Sequence, residues 1–250
     1  MRRYGLRDDQ WDRVKDFLPA REGHVGGTAQ DNRLFVEAVL YRYRAGIPRR
    51  DLPPRFGDWK IVWQRFDRWA KSGVFDRIFK TLASDHDNEY MWLDATIVRA
   101  HQHSAGAQKS GENQAIGRSR GGLTTKIHAV VDALGNPLGF SLTPPQASDL
   151  GQAGPLLDQV NPQALLADEA YDADALIQTL KDRRITPVIP PKANRLIPRQ
   201  TDFALYRERN LVEPLFNKLK HFRAIATRCD KTARNFLAAV QLVAITFLLN

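Results

Sequence analysis

The chain has 250 residues, a formal net charge of +9, 43% hydrophobic and 26% charged residues, which suits one large domain or two ordinary ones and excludes a disordered or low-complexity protein. Its single cysteine, Cys229, excludes an intramolecular disulfide, and the opening MRRYGLRDDQ lacks the apolar core of a secretory signal, so a cytoplasmic setting is expected. The longest apolar run, Leu237 to Leu249, has 13 residues, short of the ~20 that cross a bilayer; it reads as a buried C-terminal helix, with no membrane partner.

The positive charge is concentrated at the start. Residues 1–80 hold 18 Lys+Arg against 11 Asp+Glu, a net of +7, and leave 19 against 17 for the rest. A basic helical segment beside a near-neutral remainder suits a polyanion reader joined to something else, because basic groups neutralise phosphates and release counterions. A short helix is expected from Asp8 to Leu18, followed by the loop REGHVGG and a second helix from about Asn32 to Arg44, closed by Gly46 and Pro48. A third, capped by Asp58, should run to about Ser72. Trp59, Val62, Phe66 and Trp69 fall on its core face, while Lys60, Gln64, Arg68 and Lys71 share another. A helix, a turn and a helix with a basic-polar stripe suit a helix-turn-helix whose second helix enters the major groove; a solvated helix face explains the same stripe. One further helix spans Phe75 to Leu82.

After SDHDNE the period changes, and a boundary is expected between a helical DNA-binding domain, 1–85, and a catalytic domain, 86–250. Met91 to Arg99, Leu123 to Val131 and Leu138 to Thr143 read as strands, the last two forming a hairpin around Asp132-Ala-Leu-Gly-Asn-Pro. The Gly/Ser-rich linker between the first two, within a basic loop at 101–122, carries Lys109, Arg118 and Arg120 and reads as a mobile segment beside DNA. Helix Leu150 to Val160, strand Ala164 to Asp168, helix Asp172 to Arg183 and strand Thr186 to Ile189 follow, then two helices. Three strands that can form a meander, then alternating helix and strand, is the element order of a ribonuclease H-like mixed sheet, though other α/β arrangements share it.

Asp94 lies mid-strand, where a carboxylate needs a partner or a metal. Asp168 ends the apolar strand ALLAD, and the carboxyl ends of strands are where open α/β sheets build sites. Glu213 opens a helical pattern. Hard divalent cations such as Mg²⁺ choose carboxylate oxygens, and two ions ~3.5–4 Å apart can drive an in-line phosphodiester displacement. Singly, each acid has an ordinary explanation: a strand-edge hydrogen bond, a cap, a surface charge. His101 and His103 lack the further ligands a zinc site needs. Lys126 and His128 alternate on one strand face, with a site-bordering role or a cross-strand carboxylate pair both open. Lys218, Lys220, His221, Arg223 and Arg228 suggest a basic C-terminal surface that grips DNA or is merely solvated.

Around Glu213, the spacing Tyr206, Arg209, Glu213, Lys220 puts four residues on one helical stripe opposite Leu211, Leu215, Leu219 and Phe222, with Pro214 positioned to kink the helix or mark its start. These four resemble, residue for residue, the signature of the third acid in DD(E) transposases of bacterial insertion sequences. The surroundings of Asp94 in LDATIVRAH, the segment GRSRGGLTTKIHAVVDALGNPLGF, Asp168 in ADEAYDAD, and QWDRVKDFLP with RDLPPRFG resemble the insertion-sequence-five group. The resemblance spans about Leu6 to Leu249. It implies catalytic, metal-binding Asp94, Asp168 and Glu213 and two Mg²⁺ ions, with Mn²⁺ as substitute. DNA contacts are expected at Lys60, Gln64, Arg68 and Lys71 from the helical stripe, at Arg118 and Arg120 from the basic loop, at Lys126 from its strand face, at Lys218, Lys220 and Arg223 from the basic C-terminal surface, and at Tyr206 and Arg209 from the signature. The resemblance further implies cutting at inverted-repeat ends of double-stranded DNA, joining of the freed 3′-OH to target DNA, a homodimer in the synaptic complex, and association with the nucleoid during action. A nuclease without strand transfer and a non-catalytic DNA-binding repressor are the rival readings. Two positions depart from the group: Glu169 stands where a basic residue is commoner, and Ser148 where a His often precedes Asp149. The short interval from Asp168 to Glu213 leaves no room for the insertion domain of larger relatives.

Overall fold

The computed structural model describes residues 5–19, 31–110, 114–207 and 212–250, so the loop REGHVGG and Arg209 fall outside the described residues. The chain divides into two compact units, one of Met1–Leu82, Ala100–Gln114 and Leu219–Asn250, the other of Ala83–Arg99 and Ala115–Lys218.

The first unit is helical. Its opening segment breaks where one helix was expected: α1 (Asp8–Asp12) is followed by a separate 3-10 turn, Lys15–Phe17. Helix α2 (Asn32–Ala45) starts at Asp31, whose side chain accepts the Leu34 N–H, and stops at Gly46 with φ 72°. Left-handed backbone there suits glycine alone, and a Cβ would also lie 2.6 Å from that of Arg223. Two short 3-10 turns lead to α3 (Trp59–Lys71), capped by the Asp58 carboxylate on the Lys60 N–H, and then α4 (Val74–Leu82). The expected core face is realised: Phe66 and Trp69 are buried and Trp59 and Val62 half-buried. Phe66 meets Phe75 and Tyr43 at ring-centroid distances of 5.4 and 5.9 Å.

The second unit is built on a sheet. Strands β1 (Tyr90–Ala100), β2 (Gly117–Ser119), β3 (Gly122–Asp132) and β4 (Pro137–Thr143) pair antiparallel. Within 101–122, Gln102–Ser110 winds as a 3-10 helix and β2 pairs with β3. The β3–β4 turn forms because the Asp132 carboxylate accepts the N–H groups of Leu134 and Asn136 while Gly135 takes φ 82°. Helix α5 (Leu150–Leu157) packs on β3 and β4 and carries the chain to β5 (Ala164–Ala167), which lies parallel to β1; α6 (Asp174–Asp182) carries it on to β6 (Thr186–Val188), parallel to β5. The order β4–β3–β1–β5–β6, with β2 also on the outer edge of β3, is the ribonuclease H-like mixed sheet, flanked by helices. Strand β5 ends one residue early, Asp168 instead capping the 3-10 turn Glu169–Tyr171.

The expected single helix from Tyr206 to Lys220 is described at its two ends, α7 (Phe203–Tyr206) and α8 (Val212–Lys220), and residues 208–211 between them lie outside the described residues. Pro214 is the third described residue of α8. The first unit is completed by α9 (Arg223–Ala226) and α10 (Ala233–Leu248), which packs against α4, α3 and α2. Arg228, expected on a basic surface, is instead fully buried. Its Nε donates to the Asp230 carbonyl at 2.9 Å, and its guanidinium lies 5.0 Å from the Phe236 ring centroid. Among the described residues no helix is long and apolar enough to cross a membrane.

Candidate active site

The parallel register of β1 and β5 pairs Leu93 with Ala167. Asp94 and Asp168 are the next residue on each strand, so two carboxylates separated by more than seventy residues stand side by side at the carboxyl end of β5. Both are half-buried, and each is oriented by a backbone donor: Asp94 Oδ1 accepts the Ala95 N–H at 2.7 Å and Asp168 Oδ1 the Ala170 N–H at 2.9 Å. Glu213, exposed in the first turn of α8, faces the same opening. Asp94, Asp168 and Glu213 line one cleft of about 350 Å³ together with Trp92, Leu93, Ala167 and Val212. Among the described residues, no three His, Cys, Asp or Glu side chains close on one ion position. The donor set is nonetheless of one chemical kind, carboxylate oxygens on a half-open cleft, which fits a hard divalent cation that retains part of its water shell.

A second polar group lies on β3. Lys126 Nζ donates to Asp149 Oδ1 at 2.8 Å and to the Ala147 carbonyl at 3.1 Å, and the Lys126 side chain is only 12% exposed. Lys126, among the expected DNA contacts, has its charge balanced by Asp149, the carboxylate pairing that was the other reading of its strand face. His128, wholly buried, bonds Thr143 Oγ1 through Nε2 at 2.8 Å and has Nδ1 3.6 Å from Asp149 Oδ1. Burial lowers its pKa to about 4, against the attraction of Asp149 and with the help of Lys126. Tyr171 is buried at the end of the turn that Asp168 caps, and its phenol is pushed up by burial first, then by Asp149, Asp94 and Asp168. Asp149 and Tyr171 were not singled out from the sequence. Asp149 sits 23 residues from its Lys126 partner, a pairing that no periodicity reveals.

The remaining expected contacts divide by unit. Lys60, Gln64, Arg68 and Lys71 are all exposed on α3, with Lys71 bridged to Asp67 at 2.8 Å. Arg118 and Arg120 are exposed on and beside β2; Tyr206 is half-buried at the end of α7; Lys218 and Arg223 are exposed and Lys220 half-buried. His101 and His103 stack edge to face with ring centroids 4.5 Å apart.

Residues 6–79 match the family described as putative transposase of IS4/5 family, and residues 85–248 match the transposase DDE domain. The chain belongs to the DDE transposase family of insertion sequences. A putative transposase for insertion sequence element IS6501 from Brucella ovis is 42% identical over 122 residues, 48% of this chain and 94% of that relative. A putative transposase for insertion sequence element IS402 from Burkholderia cepacia is 33% identical over 140 residues, 51% of this chain and 63% of that relative. In fold, the chain is similar to a piggyBac transposase solved by cryo-EM as a synaptic complex with hairpin DNA, with a TM-score of 0.54 and 12% identity over 96% of this chain and 70% of that one.

Proposed function

We propose that the chain cuts DNA at the inverted-repeat ends of its insertion sequence and joins the freed 3′-OH to target DNA, with Asp94, Asp168 and Glu213 as the catalytic, metal-holding acids. The observation that carries this reading is the sharing of one cleft by these three carboxylates on a ribonuclease H-like sheet. Divalent cations held there, two Mg²⁺ with Mn²⁺ as substitute, would supply electrophilic stabilisation of a phosphodiester that carboxylates alone cannot provide. The protein contributes orientation. Asp94 and Asp168 each accept a backbone N–H through Oδ1, from Ala95 and Ala170, which restrains both carboxylates at the cleft. Glu213 completes the set from the helical side. The exposed stripe Lys60, Gln64, Arg68 and Lys71, in a helical domain of residues 1–85, supports reading of the duplex ends. Arg118, Arg120, Lys218 and Arg223 are exposed cations suited to phosphates; Tyr206, Arg209 and Lys220 join them through the family signature. A homodimer that synapses two ends, acting at the nucleoid in the cytoplasm, completes the proposal.

The test is incubation with duplexes carrying the element's ends, Mg²⁺ and a target plasmid, comparing wild type with Asp94→Asn. Cleaved and joined products from the wild type alone are expected. Cleavage without joining points to a nuclease, and DNA binding that Asp94→Asn leaves intact without any cleavage by either protein points to a repressor; either result overturns the proposal.

A further inference from the structure

Tyr171 ends the 3-10 turn that begins at Asp168. Its N–H donates to the Asp168 carbonyl at 3.1 Å, the Asp168 side chain holds the same turn through Ala170, and the phenol is 1% exposed. Its hydroxyl has no hydrogen-bond partner among the described residues. Buried hydroxyls without partners are rare in folded proteins because desolvation of the group is then uncompensated, so this one calls for a reason. Its place in the turn supplies one: the Tyr171 backbone is tied to the Asp168 carbonyl and the Asp168 carboxylate holds the same turn, while the phenol is pushed up by burial first, then by Asp149, Asp94 and Asp168. Asp149 has its Oδ1 committed to Lys126 on β3. The other two are the acids that line the cleft.

We propose that Tyr171 is a positioning residue of the acid cleft, its hydroxyl donating to a carboxylate oxygen of the Asp94 and Asp168 pair once a divalent cation is bound and so fixing which oxygens face the cation. This rests on the reading of the cleft as the cation site. The hydroxyl, without a partner among the described residues, gains this bond in the loaded protein. Side chains that orient metal-holding carboxylates in this way typically change metal affinity or activity by ~10–100-fold when lost.

The experiment uses the full chain as wild type, Tyr171→Phe and Asp94→Asn. Three quantities are measured: the thermal midpoint in EDTA, Mn²⁺ affinity from the electron paramagnetic resonance signal of the free ion, and end cleavage across a Mn²⁺ series. For Tyr171→Phe the EDTA midpoint is expected to match wild type, Mn²⁺ affinity to fall ~10–100-fold, and cleavage to drop at low Mn²⁺ and recover as Mn²⁺ is raised. Mn²⁺ affinity within about twofold of wild type overturns the proposal, since a positioning bond of this class acts by tens of fold. So does a lowered or absent folding transition in EDTA, which would mean that the hydroxyl is already bonded. If Asp94→Asn binds Mn²⁺ as wild type does, the cation-site reading itself fails; if Asp94→Asn loses Mn²⁺ and Tyr171→Phe keeps it, only the role of Tyr171 fails.

Discussion

Asp168 has two separable tasks, and the structure says how far each substitution should reach. Its Oδ1 accepts the Ala170 N–H at 2.9 Å, holding the turn that follows β5, and it lines the cleft beside Asp94. Asp168→Asn keeps an amide oxygen in the capping position, and Asn and Asp cap about equally well, so stability should stay within a few tenths of a kcal/mol of wild type. Asp168→Ala removes the acceptor and costs about 1 kcal/mol, or roughly 2–4 °C in midpoint for a chain of this length. Both remove the negative charge, and both should lower cleavage of end-bearing DNA by at least about a hundredfold, the upper figure for loss of a mere orienting group. The assay pairs thermal unfolding in EDTA with a labelled-end cleavage time course. Wild-type cleavage by Asp168→Asn would refute the catalytic role; identical midpoints for Asp168→Asn and Asp168→Ala would refute the capping role.

Two further predictions concern stability. His128 titrates at about 4 in the folded chain against 6.5 when unperturbed, so the unfolded state takes up the extra proton between those values. The stabilisation from burying a neutral ring is therefore complete above pH 6.5 and is lost as pH falls toward 4, by about 3 kcal/mol in all. Urea unfolding of wild type and His128→Gln at pH 7 and pH 4.5 should show a steeper acid loss in the wild type, and parallel losses would contradict the buried neutral ring. In the first unit, the buried Asp230 carboxylate accepts from Tyr43 Oη at 2.9 Å, Arg49 Nη2 at 3.3 Å and Arg42 Nη1 at 3.4 Å. Asp230→Ala strands Arg42 and the Tyr43 phenol in the interior, unpairs the half-buried Arg49 and should destabilise by about 3–5 kcal/mol; a loss under about 1 kcal/mol, the scale of an exposed pair, would show the cluster to be solvated.

How much of this was legible beforehand differs from residue to residue. Helix α3 followed from local chemistry, because the Asp58 cap and the spacing of Trp59, Val62, Phe66 and Trp69 are properties of one short segment. The strands β1, β3 and β4 were legible for the same reason, as was the turn at Asp132 and Gly135. Departures arose where distant groups decide. Arg228 looks like a surface cation beside Lys218 and Arg223, yet the carbonyl of Asp230 and the ring of Phe236 hold it inside. Lys126 looks like a phosphate contact, yet Asp149 neutralises it.

By itself the sequence determined the alternation of strand and helix and the segregation of basic residues toward the start, since these depend on periodicity and composition, and it offered the three acids as candidates through residue type and a family resemblance. Only the tertiary structure decided that the acids share a cleft: the parallel register of Leu93 with Ala167 aligns Asp94 with Asp168, and α8 presents Glu213 to them. It alone also left the Tyr171 hydroxyl buried without a partner among the described residues, in the turn that Asp168 caps. The physical reason is range. Propensities and caps act over a few residues, whereas burial, ion pairing and hydrogen-bond satisfaction are set by neighbours that the chain brings together from far apart.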